Sequence, residues 1–198
     1  LIGRFILNYW NRLVQHYHKR AYPVAFQRNQ LFANELASLV ADDVLEPLYE
    51  PSAWAFPTFI IPKKDGRVRW VSDFRELNSR IKRKPFPIPK IQDIMNQRGR
   101  YKWFTKIDLS MMFYCFELDE YSQRLCVIIT ENGLFKYKRL PMGVKISPDV
   151  AQSIMTEMLS GLDCACYMDD VGIWTNGTYE DHLELVDKVL QRFNDNNM

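Results

Sequence analysis

At 198 residues, 47% apolar and 25% charged, the chain has the length of one large domain or two small ones and a globular composition, which excludes disorder and collagen-like fibres. Its four cysteines, Cys115, Cys126, Cys164 and Cys166, lie inside apolar runs, which predicts reduced core thiols rather than a disulfide framework, and no apolar run approaches the roughly 18 residues of a membrane span. The net charge of +2 conceals a segregation: residues 62–106 hold 14 basic and 4 acidic side chains, residues 149–198 hold 2 and 10, and the other stretches balance.

The first residue is Leu1 and no signal-peptide pattern follows, which predicts a piece of a longer, non-exported protein. Phe5, Ile6, Tyr9, Trp10, Leu13, Val14 and Tyr17 recur at helical spacing, so an amphipathic helix is expected over 2–17 and a second over 31–44. Pro47, Pro51 and Pro57 then forbid helix and extend the chain. Two strands, 58–63 and 67–73, flank Asp65-Gly66, a strong hairpin signal. Alternation puts Arg67, Arg69, Val71 and Asp73 on one face and Val68 with Trp70 on the other. This hairpin belongs to the basic stretch, which also carries Phe74, Phe86, Tyr101, Trp103 and Phe104; that mixture suits a polyanion, and a solvated charged surface is the equal alternative.

After an extended connector through Pro85, Pro87 and Pro89, a short helix is expected over 91–96. Residues 103–108 read as a strand with Phe104, Lys106 and Asp108 on one face. Residues 124–129 and 134–139 read as a second hairpin across Asn132-Gly133. Ser147-Pro148-Asp149 opens a helix, with a capping serine, proline at the first position and an acid in the first turn. Residues 164–168 and 171–175 are short strands with Asp169-Asp170 between them, and Thr178 with Asp181 forms a capping box for an amphipathic last helix. The order predicts an α+β fold, helices packing one face of an antiparallel sheet.

Asp169 and Asp170 are adjacent carboxylates at the end of an apolar ribbon, and Asp108 ends another apolar strand. Asp is a favoured turn residue, so a polar turn is the plain reading. Three acids brought to one sheet end would instead suit two Mg²⁺ ions, hard cations that take oxygen ligands. His16, His18 and His182 have no metal-ligand spacing, and Cys164 with Cys166 has no second pair to complete a zinc site.

Tyr-Met-Asp-Asp at 167–170 resembles the motif of reverse transcriptases. Residues 63–78 (KKDGRVRWVSDFRELN), 104–110 (FTKIDLS) and 140–148 (LPMGVKISP) resemble the same family's fingers hairpin, first metal-binding strand and Pro-x-Gly loop, in the family's order. Together they cover about residues 45–198, and the wording resembles gypsy-type long-terminal-repeat retrotransposon polyproteins. The resemblance implies a right-hand polymerase: residues 45–106 and part of 107–148 as fingers, the remainder as palm, with the thumb and ribonuclease H absent. Residues 1–44 form an N-terminal helical or connector segment with nothing specific to the family.

The same resemblance implies the site. Asp108, Asp169 and Asp170 would be the catalytic, metal-holding acids for two Mg²⁺ ions, with Mn²⁺ as substitute. Lys63 and Arg69 would contact the incoming dNTP, and Phe113 would exclude a ribose 2′-hydroxyl. Met142 and Gly143 would lie against the nucleotide and template, and Tyr167 near the primer terminus. Met112, ahead of the gate, is bulkier than in many relatives, and Met142 replaces an amide side chain. The implied partners are an RNA or DNA template-primer, dNTPs and the rest of the polyprotein (thumb, ribonuclease H, integrase), in a cytoplasmic retrotransposon particle or the nucleus, with no membrane. Two alternatives remain at this point: an inactive retroelement remnant that binds nucleic acid, and an RNA-directed RNA polymerase, which Phe113 disfavours.

Overall fold

The computed structural model describes residues 16–83 and 85–198. They gather into two compact units, one of residues 85–115 and 148–198, the other of residues 16–83 and 116–147. The stretch 85–106, expected with the hairpin of 45–83, thus groups with the acids. Most of the helix expected over 2–17 lies outside the described residues; its last residue, Tyr17, stands in a strand instead.

The larger unit holds β1 (Tyr17–His18), α1 (Asn29–Ala41), β2 (Leu45–Leu48), β3 (Trp54–Pro62), β4 (Val68–Ser72), α2 (Arg75–Arg80), α4 (Glu120–Leu125), β6 (Val127–Thr130) and β7 (Gly133–Tyr137). Its six strands run β1-β3-β6-β7-β2, with β4 also on β3. The pairings β1 with β3 and β3 with β6 are parallel, so this sheet is mixed; the antiparallel sheet expected with helices on one face is that of the smaller unit. The long β3 explains the mixture. Its first part, Trp54–Thr58, is buried on both faces between neighbours, as a continuous apolar run requires. Its second part leaves that sheet and pairs antiparallel with β4, and there burial alternates.

Aromatic rings fill this core: Phe56 against Phe74 at 5.1 Å and Phe32 of α1 against Trp70 at 4.8 Å. A buried hydroxyl chain, Thr58 to Ser72 (3.0 Å) and Ser72 to Tyr137 (2.9 Å), ties β3, β4 and β7 together. Residues 16–44, from the stretch expected as an N-terminal helical or connector segment, pack within this unit: β1 pairs with β3, and Lys138 N–H donates to the carbonyl of Val44.

The expected second hairpin also needs correction. Arg124 and Leu125 belong to α4, capped by the Asp119 carboxylate, which accepts from Ser122 N–H. Strand begins only at Val127, and the turn is Glu131-Asn132, closed by Gly133 at φ 116°.

The smaller unit holds α3 (Ile91–Arg98), β5 (Trp103–Asp108), α5 (Ser147–Met158, of which Ser147 is counted with the larger unit), β8 (Cys164–Tyr167), β9 (Asp170–Thr175) and α6 (Tyr179–Asp195). Its sheet is antiparallel in the order β5-β9-β8. One face presents Ile107, Val171 and Ile173 toward a core with Val189 and Phe193 of α6. His182, also of α6, is buried there, bonding Thr105 of β5 and Thr175 of β9 at 2.8 Å each. The capping box of Thr178 and Asp181 that starts α6 is present in full. None of the four cysteines is in a disulfide.

Candidate active site

The exposed face of the three-stranded sheet carries the acids. In register, Asp108 of β5 stands directly opposite Asp170 of β9, and Asp170 opposite Tyr167 of β8. Residues directly opposite on an antiparallel pair project to the same face, about 4.5–5.5 Å apart at Cα. Asp108, Asp170 and Tyr167 therefore form one row across three strands.

The turn is one residue earlier than expected. Met168 and Asp169 form it, and Asp170 already belongs to β9. Two-residue hairpin loops match strand twist only with positive φ, and here Met168 supplies it at 55°. That conformation strains a residue with a Cβ. Gln152 of α5 holds it: its side-chain Oε1 accepts from Met168 N–H at 2.8 Å, and its Nε2 donates to the Cys166 carbonyl at 3.0 Å. Leu109 N–H donates to the Asp169 carbonyl at 2.8 Å, clamping the turn to the end of β5. Gln152 was invisible to motif reading because a lone glutamine in a helix looks like a solvated one, yet it is 1% exposed.

Lys106 stands two residues before Asp108 on the same face, its Nζ 2.8 Å from Asp170 Oδ1. The hydrogen bond to Asp170, then the attraction of Asp170, Asp108 and Asp169, holds its ammonium above the ordinary lysine pKa. All three acids thus act on one cation. Among the described residues, no three His, Cys, Asp or Glu side chains close into a ready-made metal cage. Burial, with the neighbouring Cys164, Asp169 and Asp170, pushes the Cys166 thiol up to about 12, so it stays protonated behind the acids.

Phe113 lies in a short 3-10 turn, Met112–Cys115, half-buried; Met112 beside it is 1% exposed, its bulk taken up inside the fold. The other expected site residues belong to the larger unit. Lys63 opens the loop between β3 and β4, its N–H donating to the Arg67 carbonyl at 2.7 Å, and Arg69 is exposed on β4. Met142 is half-buried, and Gly143 takes φ 92°, closed to most side chains. Asn78, at the end of the resembling 63–78 segment, sets this loop: its Nδ2 donates to the Gly143 carbonyl at 2.8 Å and its Oδ1 accepts from Lys145 N–H at 2.7 Å.

A family model described as reverse transcriptase (RNA-dependent DNA polymerase) matches residues 61–198. The chain belongs to the reverse transcriptase family. It is similar to the retrovirus-related Pol polyprotein from transposon 412 of Drosophila melanogaster, 36% identical over 146 residues, covering 69% of this chain and 12% of that protein. The Pol polyprotein from transposon gypsy of the same organism is 29% identical over 190 residues, covering 91% and 18%. The chain therefore spans less than a fifth of the length of these relatives. Among solved structures, a foamy viral protease-reverse transcriptase in complex with an RNA/DNA hybrid superposes with a TM-score of 0.82 at 24% identity, covering 94% of this chain and 25% of that one. That likeness carries the fold: α+β, of the polymerase fingers-and-palm type. Among the described residues no helix is long and apolar enough to cross a membrane.

Proposed function

We propose that this reverse transcriptase chain is the fingers-and-palm part of an RNA-directed DNA polymerase from a retrotransposon Pol polyprotein. It extends a primer on an RNA or DNA template with dNTPs by two-metal nucleotidyl transfer. The three-stranded unit would be the palm and the six-stranded unit the fingers. The observation that carries this reading is the register that sets Asp108 against Asp170, with Asp169 at the adjoining turn.

The donor set fits Mg²⁺. It is all carboxylate oxygen, as a hard cation wants, and a cation already sits on it in the form of the Lys106 ammonium. Mg²⁺ commonly takes one or two carboxylates and completes its shell with water and substrate phosphates, so a closed protein cage is not required. Asp108 and Asp169 would hold the ions and Asp170 complete the site. Bound there, the ions supply an acidified primer 3′-hydroxyl and charge neutralisation at the triphosphate.

The chain's own residues do the positioning on which phosphoryl transfer depends. Lys63 and Arg69 would bind the triphosphate through charge-assisted hydrogen bonds. Gly143, its loop held by Asn78, would lie against the nucleotide through its backbone. Phe113 would exclude a 2′-hydroxyl, and Tyr167, in the row with the acids, would pack at the primer terminus. The rest of the polyprotein would add thumb, ribonuclease H and integrase, within a cytoplasmic particle.

The test is single-nucleotide incorporation on a primed RNA template by the chain extended toward its relatives' length, beside Asp169→Asn. The variant should lose about a thousandfold in rate, since such ions supply several kcal/mol at about 1.4 kcal/mol per tenfold. Template affinity should stay within about twofold, being set by phosphate contacts elsewhere. Template binding without incorporation by the parent would favour the inactive remnant instead.

A further inference from the structure

Lys106 is the one basic residue in the three strands of the smaller unit's sheet. Directly opposite it in register is Gly172, which offers no side chain. The space a side chain would fill there belongs to Trp174: a Cβ on Gly172 would lie 2.0 Å from the indole ring. Trp174 in turn stacks on Phe104, two residues before Lys106 on the same face, at 5.1 Å. The lysine is therefore bordered by aromatic rings on one side along its strand and by carboxylates on the other. Its ammonium meets Asp170 diagonally, at 2.8 Å, while the side chain remains 54% exposed and able to swing into solvent.

We propose that Lys106 tunes the affinity of the metal site: it is the internal counter-ion of Asp170, competes with a divalent ion for that carboxylate, and so sets the ion concentration at which the site fills. This rests on the reading of the three acids as metal ligands. An exposed lysine–carboxylate pair is weak, so a dication displaces it, but at a cost in apparent affinity. The competition also keeps the adjacent acids from repelling one another before an ion arrives, since one positive charge stands among three negative ones.

The experiment is Mn²⁺ titration of the 198-residue chain, read by the loss of the free-ion paramagnetic resonance signal, with no nucleotide or template. The parent is compared with Lys106→Met, Lys106→Arg and Asp169→Asn, each checked by thermal melting; Lys106→Gln replaces the methionine variant if that one does not fold. Removing the ammonium should tighten Mn²⁺ binding about three- to tenfold, the scale of one unit charge near a dication in a partly solvated site. Lys106→Arg should bind within about twofold of the parent, and Asp169→Asn at least about tenfold more weakly. If Asp169→Asn weakens binding while Lys106→Met, or Lys106→Gln in its place, stays at parent affinity or below, the role of Lys106 is overturned and the metal site stands. If Asp169→Asn binds like the parent, the metal reading itself falls and this proposal with it.

Discussion

The two units hold their candidate functional groups in opposite ways. In the three-stranded unit the acids are short side chains whose placement is the backbone register itself: Asp108 against Asp170, with a strained turn beside them. In the six-stranded unit the basic groups are long, exposed side chains at a hairpin whose strands rest on a ring-filled core. Short acids can be aimed only by a rigid backbone, so small local changes at the sheet should disturb chemistry before stability. Long lysines and arginines would reach a target by rotamer, so damage in the other unit should come chiefly through its core.

The largest test of that contrast is Phe56→Ala. Phe56 is fully buried and packs against Trp54, Tyr17 and Phe74. Truncating such a ring costs about 3–5 kcal/mol. Urea unfolding should show that loss as a lower midpoint with little change in slope. A cost under about 1 kcal/mol would mean the ring cluster is not what carries this unit.

In the other unit the sharper instrument is Gln152→Leu. It fills similar volume but strands two backbone groups, Met168 N–H and the Cys166 carbonyl. Losing two hydrogen bonds and leaving buried polar groups should cost about 2–3 kcal/mol. Because the bonds hold the turn bearing Asp169, Mn²⁺ affinity should fall as well, which the Phe56 variant, once folded, should not show. Equal loss of metal binding in both would erase the distinction drawn here.

How much of this was legible from sequence follows the range of the interactions. Local signals read well: the strand at 103–108 with Phe104, Lys106 and Asp108 on one face, and the Thr178 capping box, lie where expected. Residues 124–125 were misread because α4 is only six residues long and runs into a β-prone stretch, too short for periodicity to register. The parallel pairings of β3 are long-range and leave no local trace. At the candidate site, the gathering of the acids at one sheet end was legible, but the turn came out one residue late, since Asp is a commoner turn residue than Met. Its real geometry is fixed by Gln152, sixteen positions from Met168. Lys106 was placed on the face of Asp108 but given no role of its own, because the partner that gives it meaning lies on another strand.

The smallest predicted effect concerns pH and falls again in the larger unit. Asp73 follows β4, its side chain 8% exposed, and accepts from Arg75 and from the Tyr22 hydroxyl. The Arg75 guanidinium first, then the tyrosine, hold its carboxyl well below the usual carboxylate range. A carboxylate whose folded pKa is depressed stabilises the fold above its unfolded value, near 3.8, and loses that contribution as pH falls below it. Asp73→Asn should therefore cost about 1–2 kcal/mol at pH 7, the scale of charge-assisted hydrogen bonds. The gap between parent and variant should then hold above about pH 4 and narrow as pH falls from about 4 toward 2. A gap constant across that range would assign the cost to packing, and would leave Tyr22 and the segment around it joined to the hairpin by shape alone.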